Sequence, residues 1–174
     1  MNARQIAGIA ILLTAGTLLQ YVISPLGLLL TPDVITAFFC LGIILFRPKF
    51  SEALVIGITG GFLSMLIPGS ILPWANLISG PAGAYACFYV YETYSNGSAM
   101  APLFTTCTAT LVSGCAFVAV ATVFVFDTII SRFGDFSNFI GVYLPIIIGT
   151  ALVNAVIVQA LFFLIGRAAG KQPA

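Results

Sequence analysis

The chain has 174 residues, 60% of them hydrophobic and 6% charged, with a formal net charge of +1. Soluble domains carry about 25% charged residues, so this composition describes an integral membrane protein with no soluble domain attached, and its near-neutral balance gives no footprint for nucleic acid. It has no histidine, which removes the commonest general base and the commonest zinc ligand.

A helix needs about 20 residues to cross a hydrocarbon core of ~30 Å, and on that measure six spans are predicted within one transmembrane domain, residues 1–174. The first is Ala3–Ile23. Its start carries one positive charge, no small-residue cleavage site follows, and Gln20-Tyr21 reads as a span end, so the helix is expected to be retained. An apolar break, Ser24–Pro32, follows. The second span, Asp33–Phe46, takes Asp33 as its N-cap. Its 14 residues reach only about 21 Å, short unless Arg47 and Lys49 snorkel. Ser51 is expected to cap the third span, which runs to about Ile67, with Glu52 favourable at its positive end. The fourth is about Pro81–Tyr94, followed by the polar turn Ser95–Ser98. The fifth starts near Pro102, a favourable first helical position, and runs to about Phe126. Asp127–Asn138 is a mixed loop with room for a short interfacial helix. The sixth is Phe139–Gly166.

With six spans, Arg4, Arg47, Lys49, Arg167 and Lys171 fall on one side and Arg132 on the other. The positive-inside rule then puts both termini in the cytoplasm. The loops at Ser24–Pro32, Ile67–Pro81 and Asp127–Asn138 face outward.

Ile67–Pro81 is the unusual stretch. It holds Pro68, Pro73, Pro81, Gly69, Gly80 and the single tryptophan, Trp74. Proline removes a backbone donor and interrupts helices, yet Ile71, Leu72, Leu77 and Ile78 are too apolar for an open loop. Non-helical apolar backbone beside a membrane must be buried in protein or line a cavity. The stretch is read as a cap over a small-molecule pocket, with Trp74 and Asn76 as an aromatic wall and a polar contact. Tyr85 adds a second wall. Asn154, near the middle of the last span, is read either as an interhelical hydrogen bond or as the floor of that pocket. Asp127 or Arg132 would meet an ammonium or a carboxylate.

Catalytic signatures are missing. There is no GxxxxGK[ST] loop, no serine elbow and no zinc motif. Gly134-Asp135 matches half of an intramembrane aspartyl protease motif, but it falls in a loop and lacks its partner aspartate. The four cysteines, Cys40, Cys87, Cys107 and Cys115, show no metal or redox spacing and read as apolar packers. No enzyme activity, cofactor or metal is expected. Ala3, Ala7, Ala10 and Thr14 form one small-residue stripe at helical spacing. Such a stripe suits either packing against the chain's own helices or docking of a partner subunit. Gly57, Gly60 and Gly61 pose the same choice and lean toward internal packing.

Four segments carry a family likeness: TPD at Thr31–Asp33, GIILFRPKF at Gly42–Phe50, ALVIGITGG at Ala53–Gly61 and N-L-I-x-x-P at Asn76–Pro81. They resemble the tryptophan-transporter group of S components of energy-coupling-factor (ECF) transporters, best over about Pro32–Ala84. The resemblance implies an all-α, six-helix S-component bundle in a prokaryotic plasma membrane. It implies capture of a small aromatic solute, tryptophan first, from outside. It implies as partners a coupling transmembrane subunit and two ATPase subunits, with Ala3, Ala7, Ala10 and Thr14 at the coupling interface. An S component for another vitamin-like solute and a ligand-free membrane scaffold are the rival readings.

Overall fold

A computed structural model describes residues 1–24, 33–95 and 98–168. The Pro25–Pro32 part of the first outer break, Asn96-Gly97 and Lys171 lie outside the described residues. Among those described there are seven α-helices: α1 Ala3–Ile23, α2 Val34–Phe46, α3 Phe50–Met65, α4 Asn76–Tyr94, α5 Ala101–Phe124, α6 Phe126–Phe133 and α7 Phe136–Ala168. A short 3-10 turn, Pro73–Ala75, leads into α4. No strand occurs among the described residues. The helices α1, α5 and α7 are long and apolar enough to cross a membrane, while α2 and α3 are shorter apolar helices.

The helix α2 sits at the centre. Ten of its 13 residues are buried, and it touches α1, α3, α4, α5 and α7. A helix that is apolar all round belongs in an interior, and here Ile35, Phe39, Leu41, Ile43 and Ile44 form the middle of the main core. The long outer helices instead expose large apolar side chains such as Ile11, Val22, Val123, Leu152 and Val156, a surface suited to lipid.

Local chemistry sets the helix ends. Asn2 and Gln5 cap α1 reciprocally, each side chain accepting from the other's backbone N–H at 2.9 Å, so two orphan donors are met. Asp33 caps α2 as expected. The third span starts earlier than expected. Glu52 reaches back to the N–H of Lys49 at 2.7 Å and also pairs with the terminal amine of Met1, so α3 begins at Phe50 and Ser51 lies inside it. Arg47 ends α2 in the left-handed region at φ 44°. Its guanidinium stands 5.3 Å from the Tyr91 ring centre, a cation–π contact that holds an uncommon backbone. Gly134 (φ 82°) closes α6, and Asp135 Oδ1 accepts from the N–H of Asn138 at 2.7 Å at the start of α7. Gly134-Asp135 is thus a turn and a cap.

The main departure is α4. The expected loop reached Pro81, yet the helix starts at Asn76 with Pro81 inside it. Proline removes one ladder bond, and tertiary packing outweighs that loss. Helices α3 and α4 meet backbone to backbone. A Cβ on Gly61 would lie 2.1 Å from the Asn76 carbonyl oxygen, and one on Gly80 would lie 2.5 Å from that of Gly57. The Gly57–Gly61 run therefore packs internally. The stripe in α1 does not, since Ala3, Ala7, Ala10 and Thr14 are all exposed. Glycines do the internal work on that helix, with Gly8 against Phe46 and Gly16 against Phe38.

One end of the bundle gathers the basic residues. Gln5 Nε2 donates to the Phe46 carbonyl at 3.3 Å, and Gln159 Nε2 donates to that of Ala99 at 2.8 Å. These contacts bring the start of α1, the α2–α3 turn and the later part of α7 to the same end, and with them Arg4, Arg47, Lys49 and Arg167.

Gly61→Ala is expected to lower stability by about 1–3 kcal/mol, because backbone cannot yield to the new methyl. Gly141→Ala, with nothing within 4 Å of its Cβ, should gain about 0.5–1 kcal/mol of helix stability. Thermal melts of the purified variants in detergent check both.

Candidate functional site

At the end opposite the basic residues lies a cavity of about 420 Å³. Five helices, the cap of a sixth and one loop line it. Gln20 and Ser24 come from α1, Asp33 from the α2 cap, Ser64 from α3, Asn76 and Ser79 from α4, Thr110, Ser113 and Phe117 from α5, and Tyr143, Ile147 and Thr150 from α7. The loop residues Ile67–Ser70 complete the wall. Ser24 Oγ donates to the Pro68 carbonyl at 3.0 Å, which ties that loop to the end of α1. Further along, Leu72 and Ala75 bury against Ala121, Ile129 and Phe139, so α5, α6 and α7 anchor the loop's second half.

The floor is a polar node at the start of α2. Asp33 Oδ2 accepts from the Thr36 hydroxyl at 2.5 Å, and Oδ1 accepts from the Thr36 N–H at 3.4 Å. Gln20 Oε1 accepts from the N–H of Ile35 at 3.0 Å. Asn154 Nδ2 donates to the Asp33 carbonyl at 2.9 Å and to Thr110 Oγ1 at 3.4 Å. Helices α1 and α7 therefore hold the start of α2, and Thr110 of α5 steadies Asn154. Asn154 is fully buried, and its Oδ1, with the hydroxyls of Thr105 and Thr106, has no partner among the described residues.

The expected site residues divide sharply. Asn76 lines the cavity and Asn154 holds its floor from behind. Trp74 is outside the lining. It is exposed and packs edge-on against Phe124, with ring centres 4.8 Å apart. Tyr85 is exposed on α4, stacked on Tyr89 and edge-on to Phe50, at the basic end of the bundle. The early start of α4 explains this: nine residues of helix carry Tyr85 roughly 13 Å from Asn76. Asp127 and Arg132 are exposed on α6 and do not line the cavity.

The residues missed at the sequence level are small hydroxyls. Thr110 and Ser113 stand at i and i+3 on α5, and Thr150 stands one turn before the expected Asn154 on α7, all buried. That paired periodicity was the available signal. No group of His, Cys, Asp and Glu able to hold a metal occurs among the described residues. A second concavity of about 590 Å³ runs between α1 and α3, lined by Ala10, Thr14, Val55, Thr59 and Leu63. No family model, no curated protein and no solved structure matches the chain.

Asn154→Leu should cost about 1–3 kcal/mol, since it removes the buried hydrogen bonds to the Asp33 carbonyl and the Thr110 hydroxyl. A lowered melting temperature in detergent is the expected reading; unchanged melting would remove Asn154 from the node.

Proposed function

We propose that the protein is the substrate-binding S subunit of an ECF-type importer that captures a small solute, tryptophan first, from outside the cell. It binds and carries out no chemistry. Energy comes from partners, a coupling transmembrane subunit and two ATPase subunits. In this reading α1 to α5 and α7 are the six spans, α6 lies along the outer interface, and both termini are cytoplasmic in a prokaryotic plasma membrane.

The observation that carries the reading is the polar cavity of about 420 Å³ at the end of the bundle away from Arg4, Arg47, Lys49 and Arg167. Its size falls within the usual range for small-molecule sites, about 300–1,000 Å³. By the positive-inside rule that end is external. Phe117 and Tyr143 offer aromatic surface for an indole, and Asn76 and the hydroxyls offer orientation. The exposed stripe Ala3, Ala7, Ala10 and Thr14 beside the α1–α3 groove supports docking of a coupling subunit. The same groove also favours the second reading, a ligand-free assembly protein.

A thermal-shift series with tryptophan and vitamins separates the two. A solute at 100 times its Kd should stabilise the fold by about 2.7 kcal/mol. If no solute raises the melting temperature, the capture reading fails and the assembly protein stands. For tryptophan, Asn76→Ala should weaken binding by about five- to tenfold, the worth of one hydrogen bond of about 1–1.5 kcal/mol. Trp74→Ala, outside the lining, should leave Kd within about twofold, as read by calorimetry.

A further inference from the structure

We infer that the captured solute carries a cationic nitrogen and that the Asp33 carboxylate is its counter-ion. The inference rests on the capture reading and narrows its substrate class.

Among the described residues that line the cavity, Asp33 is the one formally charged side chain, and no lysine or arginine joins it there. The other polar groups are hydroxyls and amides, neutral and able to serve either sign. The carboxylate accepts from Thr36, the hydroxyl at 2.5 Å and the N–H at 3.4 Å, and the Gln20 side chain lies within reach of it. A carboxylate offers about four lone-pair sites, so acceptor capacity remains toward the cavity. The ion pair found among the described residues joins Met1 and Glu52 at the far end of the bundle. An ionised group set among membrane helices is costly unless it takes up a proton or meets something of opposite charge. A cationic nitrogen in the cavity supplies that charge. An anion lacking one meets repulsion from Asp33 and no compensating base.

The group is also held in place. Asn154 fixes the Asp33 carbonyl at 2.9 Å and Gln20 fixes the following Ile35 N–H at 3.0 Å. The backbone that carries this carboxylate is held by two other helices, so meeting a charge asks little reorganisation of it. Capping α2 does not by itself call for the charge, because asparagine caps as well as aspartate.

That equivalence makes the test clean. The wild-type chain in detergent is screened by thermal shift against solutes with a cationic nitrogen (tryptophan, tryptamine, thiamine, histamine) and against anions without one (indole-3-propionate, biotin, nicotinate). The Asp33→Asn chain is then screened alike. Stabilisation confined to the first group, with affinity reduced about tenfold or more in Asp33→Asn, is the expected result. An anion from the second group that stabilises the wild type, or an Asp33→Asn chain that binds the cationic hit within about twofold, overturns the counter-ion and leaves solute capture standing. No stabilisation by any solute overturns both. The comparison of tryptamine with indole-3-propionate uses the wild type alone, so it decides the matter even where the variant melts early.

Discussion

The structure depends on burying one short apolar helix, α2, at the centre of the bundle. Thirteen residues of α2 span about 20 Å, less than the hydrocarbon thickness of ~30 Å. The first four N–H groups of any helix lack internal partners, and in a membrane interior they must be met by protein. Asp33 and Gln20 meet two of them, and Asn154 takes the neighbouring carbonyl. Polar side chains from α1 and α7 are thereby drawn to one level inside an apolar bundle. The cavity opens on that level, and its polarity is a direct result of ending α2 inside the protein.

The second determinant is how closely α3 and α4 approach. Gly57 and Gly61 on one helix and Gly80 on the other let the backbones approach, with only the Ala84 methyl set against Gly57. Van der Waals packing of this kind is what holds helices together where no hydrophobic drive separates lipid from protein. It keeps α4 helical through Pro81 and brings Asn76 and Ser79 to the cavity wall.

Much of this was written plainly in the sequence. Long apolar runs marked α1, α5 and α7, and Thr31-Pro32-Asp33 marked the start of α2. Asn154 stood out because an amide in the middle of a span needs partners. The start of α4 did not stand out, since Pro73 and Pro81 look alike in sequence and only the glycine contact with α3 tells them apart. The later start had Tyr85 near the outer loop, whereas nine residues of helix separate it from Asn76 and it packs against Phe50. The hydroxyl wall was hidden for another reason. Threonine in an apolar helix usually satisfies itself by donating to the carbonyl one turn back, as Thr14, Thr17, Thr59 and Thr122 do. A threonine such as Thr110, which accepts from Asn154 instead, reads the same until the helices are placed.

The glycine contact also constrains how this molecule can move. Helices that interlock through side chains can slide, because rotamers give way by small steps. Carbonyl oxygens resting on Cα atoms have no such slack, so α3 and α4 travel as a single plank. The strip between them, Ile67–Leu72, turns instead on Gly69 at φ 110°, a conformation that residues with a side chain rarely adopt.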